Sequence, residues 1–113
     1  MNYWQKANYE IEQALQARKA QNEGRARVCA RRAAGQAIQG FFAVKHFRVP
    51  TINSFSLLND DSIRINLPVE IYPILDHLVL RVDGNHNLPE GIDLLIETKE
   101  LISKLKKMCS IED

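Results

Sequence analysis

Apolar residues recur at spacings of three and four along most of the chain, and four stretches carry the repeat far enough to predict helices. Trp4, Ala7, Ile11, Ala14 and Arg18 step along one face, broadened by Leu15 and Ala17, which predicts an amphipathic helix over roughly Asn2 to Ala20. Asn22 to Gly24 is a turn, short enough to fold the second helix back on the first as an antiparallel hairpin. The second helix runs to about Lys45. On it Ala26, Ala30, Ala33, Ala34, Ala37 and Phe41 fall on one arc, with Arg25 and Arg32 on one side and Arg27 and Arg31 on the other. Small side chains let a neighbouring helix come close, while the arginine stems cover the seam and keep their guanidinium groups wet. Phe41, Phe42 and Phe47 then supply the bulk that fills one end of the core.

From His46 to Asn66 the pattern weakens: Pro50, Asn53, Ser54 and Ser56 form turns, and Ile52, Phe55, Leu57 and Leu58 pin a long connection to the core. Ile63 and Ile65 alternate with polar neighbours, so a strand at Ser62 to Asn66 is an alternative for that segment. Asn66 and Pro68 open a third helix whose face is Ile71, Ile74, Leu75, Leu78 and Val82, with Pro73 marking its start or kinking it, and Gly84 and Asn85 ending it. Asn87, Leu88, Pro89 and Glu90 start a fourth, faced by Ile92, Leu95, Ile96, Ile102, Leu105 and Met108. The expected fold is all-α: an up-and-down four-helix bundle with a long connection between the second and third helices, making one domain of residues 1–113.

Length and composition narrow the classes of function. A chain of 113 residues with 45% hydrophobic and 26% charged residues has room for one core and none for a cofactor domain. No apolar run approaches the roughly 20 residues that cross a bilayer, and MNYWQKANYE lacks a signal peptide's apolar core, so a cytoplasmic location is expected, without a membrane. Cys29 and Cys109 stand apart from other thiols and imidazoles, so free thiols are expected, with no metal site and no cofactor. The net charge of +1 hides two unlike halves. Met1 to Pro50 holds nine Lys or Arg against three acids, a net of +6, and Thr51 to Asp113 holds six against eleven, a net of −5. Either the basic half meets an anionic partner, or the halves face each other within the fold or across a dimer.

Several of these features together resemble the HEPN domains of prokaryotes. They are Trp4 and Ala7 in the first helix, the Ala-rich second helix ending in aromatics, His46 before a Ser- and Leu-rich segment, and Leu80-Arg81-Val82-Asp83 ahead of a Pro-initiated last helix. Many members carry an Arg followed four to six residues later by His, and Arg81 to His86 has the four-residue spacing. The resemblance implies a homodimer. It also implies either a metal-independent ribonuclease or an inactive module that pairs with a small nucleotidyltransferase in a toxin–antitoxin system. Val82 after the arginine and the break at Asn87 to Pro89 depart from the active type, which places the interaction module first.

The chemistry of the enzyme reading is simple. An imidazole near its own pKa moves a proton at a ribose 2′-hydroxyl or a 5′-oxygen, and an arginine fork holds the growing phosphate charge. Residues five apart on a regular helix diverge by about 140°, so Arg81 and His86 need a bend or a second subunit to meet, and Gly84 and Asn85 supply a bend. A third class is a non-catalytic nucleic-acid binder, with RNA as a candidate partner, using Arg25, Arg27, Arg31 and Arg32 on phosphates. His77, beside Asp76 on the third helix, reads as a surface histidine, and His46 as a cation at the end of the second helix.

Overall fold

Two capped helices joined by a tight turn form the centre of the molecule. The computed structural model describes residues 1–47, 49, 53–80 and 91–111, and every regular element among them is helical. The first helix, α1 (Tyr3–Lys19), opens on a reciprocal cap: the Asn2 side chain accepts from the Gln5 N–H at 2.8 Å, and the Gln5 side chain accepts from the Asn2 N–H at 2.9 Å. The second, α2 (Glu23–Val44), opens on Asn22, whose side chain accepts from the Arg25 N–H at 3.1 Å. Between them Gln21 takes a left-handed conformation (φ 61°), which lets the Asn22 N–H donate to the Ala17 carbonyl at 2.8 Å and closes the end of α1.

The alanine arc of α2 is buried as its spacing predicts. Ala26, Ala30, Ala33, Ala34 and Ala37 are enclosed and meet Ala7, Ala14 and Ala17 across the hairpin. At Gly40 the two helices come close enough that a Cβ would stand 3.0 Å from the Tyr3 Cβ. The other flank of α2 packs on the last helix, α6 (Leu94–Ile111), through Leu94, Leu101, Ile102 and Leu105. The end of α2 repeats the device that ends α1: His46 is left-handed (φ 57°), and the Phe47 N–H donates to the Phe42 carbonyl at 3.0 Å. The rings of Phe42 and Phe47 then pack 5.1 Å apart. Phe47 is nonetheless 45% exposed, so it covers the end of the core instead of filling it.

The middle of the chain is more ordered than its pattern suggests. It holds α3 (Ser54–Leu58), capped by Asn53, and α4 (Asp61–Arg64); Leu57 and Leu58 are buried as expected and Ile63 and Leu67 join them, whereas Phe55 is 36% exposed and Ile52 lies outside the described residues. Ser62 to Asn66 is not a strand. The Asp60 carboxylate accepts from the Ser62 N–H at 2.8 Å and lies 3.4 Å from the Ile63 nitrogen, which winds the segment into a helical turn. Ile63 is thereby buried, and Ile65, its partner in the alternation, is 75% exposed.

The third predicted helix is short. A 3₁₀ turn over Val69–Ile71 leads into α5 (Tyr72–Leu78), where Pro73 lies in the first turn and marks the start instead of kinking the helix. Its expected continuation through Val82 to Asn85 lies outside the described residues, as does the predicted start of the last helix at Asn87 to Glu90. In the described structure α6 begins at Leu94, with Asp93 accepting from the Leu95 and Ile96 N–H groups at 3.0 and 3.2 Å. Ile96 points outward, 63% exposed, and Thr98 takes an inner position that the sequence pattern did not assign to it. No described helix is long and apolar enough to cross a membrane.

Candidate functional site

Three polar or partly exposed places stand out, each fixed by the packing around α2. The first is a charged hub where α1 ends, α2 begins and α6 is capped. Arg18 donates from Nε and Nη2 to Glu23 at 2.7 and 3.2 Å, and from Nη1 and Nη2 to Asp93 at 3.1 and 3.2 Å. One guanidinium thus joins three helix ends, with a fork on each carboxylate. The bonds to Glu23 and then Asp93 hold Arg18 above its already high pKa. Partial burial pushes the Asp93 carboxyl up, yet the Arg18 bond and the Ile96 and Leu95 amides outweigh it and leave the carboxyl below its ordinary value. The hub borders a hollow of about 260 Å³ that Arg27 and Ile92 also line.

The second place is the carboxyl end of α5. Arg31 donates from Nε to the Leu78 carbonyl at 2.7 Å, and its Nη2 lies 3.5 Å from the Leu80 carbonyl, so α2 neutralises the last turn of α5. Burial, helped by the neighbouring charge of Arg27, lowers the pKa of this guanidinium. In the same last turn His77 Nδ1 lies 2.5 Å from Glu97 Oε1 of α6. A carboxylate on one ring nitrogen fixes the orientation and tautomer of an imidazole. Asp76, adjacent to His77 in sequence, instead pairs with Arg64 at 2.6 Å.

The third is a hollow edged by two aromatic residues and by Gln39. Tyr3, Gln39, Ala43, Phe47 and Val49 surround a hollow of about 270 Å³ where α1 begins and α2 ends. Lys6 stands over the Tyr3 ring at 5.4 Å, and Lys45 over the Phe41 ring at 4.8 Å. His46 contributes its backbone to the end of α2, its N–H donating to the Ala43 carbonyl at 3.1 Å, and its side chain is exposed.

The four arginines of α2 do not share one environment. Arg25 and Arg32 are exposed, Arg27 is half-buried beside the Arg18 hub, and Arg31 is committed to the carbonyls of α5. Arg81 and His86 lie outside the described residues, between Leu80 and Gly91. Across the two halves of the chain, Arg18 and Asp93 form an ion pair at 3.1 Å. Cys29 and Cys109 are buried free thiols, and the described residues hold no group of three or more His, Cys, Asp or Glu placed to bind a metal.

The sequence pattern missed both the His77–Glu97 contact and the Tyr3–Phe47 hollow. The contact joins residues 20 apart in sequence, and no local spacing announces it. The hollow had a usable signal: an aromatic just past a helix end packs back on that helix when the residue before it turns left-handed. Compared with known proteins, the chain matches no family model, no curated protein and no solved structure.

Proposed function

We propose that the protein is a HEPN-like helical interaction module that acts as a homodimer and serves as the accessory partner of a second protein, such as the small nucleotidyltransferase of a toxin–antitoxin pair. The observation that supports this reading is the hollow between Tyr3 and Phe47, two residues that remain 37% and 45% exposed. Partly exposed aromatics around a concavity are the residues that anchor interface cores. Sedimentation at micromolar concentration in moderate salt tests it. A dimer is expected, and a monomer at every concentration overturns the homodimer.

The second reading is a metal-independent ribonuclease using Arg81 and His86. It draws on Arg31, which fixes the chain at Leu80, the residue before Arg81, and on the Leu80 N–H donating to the His77 carbonyl at 3.2 Å. In this reading the protein cleaves single-stranded RNA in EDTA to a 2′,3′-cyclic phosphate, and His86→Ala abolishes cleavage without changing the melt. We expect the RNA to stay intact between pH 6 and 8; cleavage lost on His86→Ala would put the enzyme first.

A further inference from the structure

The Tyr3–Phe47 hollow sits in the most one-sided part of the chain: no acid occurs between Glu23 and Asp60. The cations at this end of the hairpin include Lys6, over Tyr3, and Lys45, over Phe41. The surface is therefore an aromatic depression under positive charge.

A second surface has the opposite form. Between α4 and α5 the chain raises Ile65 and Val69 into solvent, 75% and 67% exposed. Exposed Asp61 and Glu70 flank them in sequence, and the intervening Arg64 is committed to Asp76 at 2.6 Å and to the Leu58 carbonyl at 2.9 Å. This is an apolar knob under negative charge. It is also held firmly: Ile63, Leu67 and Ile71 anchor it in the core, the Tyr72 hydroxyl donates to the Arg64 carbonyl at 2.6 Å, and Asn66 Nδ2 donates to the Ser62 carbonyl at 2.9 Å. Two bulky aliphatics on a supported turn lose little freedom when they dock.

We infer that the knob of one copy, Ile65 and Val69, seats in the Tyr3–Phe47 hollow of a second copy, reciprocally across a two-fold axis. The occupant is a second copy because the two surfaces of opposite charge, lysines beside the hollow and acids beside the knob, belong to this one chain. A two-fold arrangement uses each pair twice and closes, whereas a single head-to-tail contact would leave a knob and a hollow unfilled at the ends. The opposite charges of the two halves of the chain then meet between subunits, steering association and fixing which surface meets which. This inference rests on the homodimer reading and specifies its interface.

Sedimentation of the full chain and of two variants at exposed positions tests it. Ile65→Lys puts a cation on the knob, and Ala43→Glu puts an acid in the hollow. Each alone is expected to weaken self-association by about tenfold or more, with thermal melts unchanged. Mixed in equal amounts, they are expected to recover a heterodimer, because one knob and one hollow remain intact and the other contact becomes Lys against Glu. A wild-type dimer indifferent to both substitutions overturns this interface and leaves the homodimer standing. Two monomeric variants that fail to recover on mixing also overturn it. A monomeric wild type removes the interface and the homodimer together.

Discussion

His77 on α5 and Glu97 on α6 meet at 2.5 Å, nitrogen to carboxylate oxygen, and so tie the short α5 to the last helix. Glu97 is the more buried partner, with its side chain 19% exposed. Glu97→Ala is expected to cost about 1 kcal/mol, the usual net worth of a hydrogen bond, and Glu97→Gln less because an acceptor is kept. Chemical denaturation at neutral pH, with the two variants run side by side, checks the order.

The two buried glycines of α2 should respond differently to the same change. Alanine raises helix propensity by up to about 1 kcal/mol at either site. At Gly35 the new methyl would meet Ser54 Oγ at 3.0 Å, a hydroxyl that can rotate away, so Gly35→Ala should be neutral or stabilising. At Gly40 it would meet the Tyr3 Cβ at 3.0 Å and the Trp4 ring at 3.2 Å, neither of which can move without shifting α1, so Gly40→Ala should lose on the order of 1 kcal/mol net. Ala33→Leu, in the closed part of the same seam, should lose roughly 1 to 3 kcal/mol. Thermal melts of the three variants would show whether the hairpin is as tight as its geometry requires.

Left-handed residues at both helix ends offer a gain in stability. Gln21 and His46 have φ near 60°, a conformation in which a Cβ is crowded and glycine is not. Gln21→Gly and His46→Gly should each stabilise by about 0.5 to 1 kcal/mol, and Gln21→Val should destabilise. An increase in melting temperature for both glycine variants is the expected reading.

Asp93 separates capping from ion pairing. Its carboxyl has a lowered pKa in the folded chain, so its contribution is complete above the ordinary carboxylate range and drains away as pH falls through the lowered value. Asp93→Asn keeps the cap on α6 and loses the Arg18 pair, at a cost below about 1 kcal/mol for so exposed a bridge. Asp93→Ala loses both, at about 1 to 2 kcal/mol. The gap between wild type and Asp93→Asn should shrink as pH falls from the ordinary carboxylate range through the lowered Asp93 value, which melts over a series of acid buffers would reveal.

What could be read from the chain was what local spacing determines. The alanine arc, the turn at Asn22 and the inner positions Ile102 and Leu105 all follow from period and cap residues, and they are where the structure has them. Ile63 and Ile65 misled because alternation over five residues suits a strand, while a single acid ahead of them, Asp60, was enough to wind the turn. Ile96 misled because the buried face of α6 runs through Leu94, Thr98, Leu101 and Leu105, and two residues from Leu94 and Thr98 on a helix is nearly the opposite side. The site residues needed tertiary information. Nothing near Arg31 in sequence marks it as the arginine that closes α5, although Arg27 and Arg32 look equivalent to it on paper.

Cys29 lies on the inner side of α2, 1% exposed, and burial, followed by the nearby Glu10 charge, pushes its thiol up toward the unreactive protonated form. The molecule therefore contains its own clock. An alkylating reagent reaches this sulfur when the close helix contacts around it separate, so its labelling in native buffer times a fluctuation that spectroscopic averages miss. Run with and without a bound partner, the same reaction would tell whether association clamps the hairpin shut or leaves it breathing.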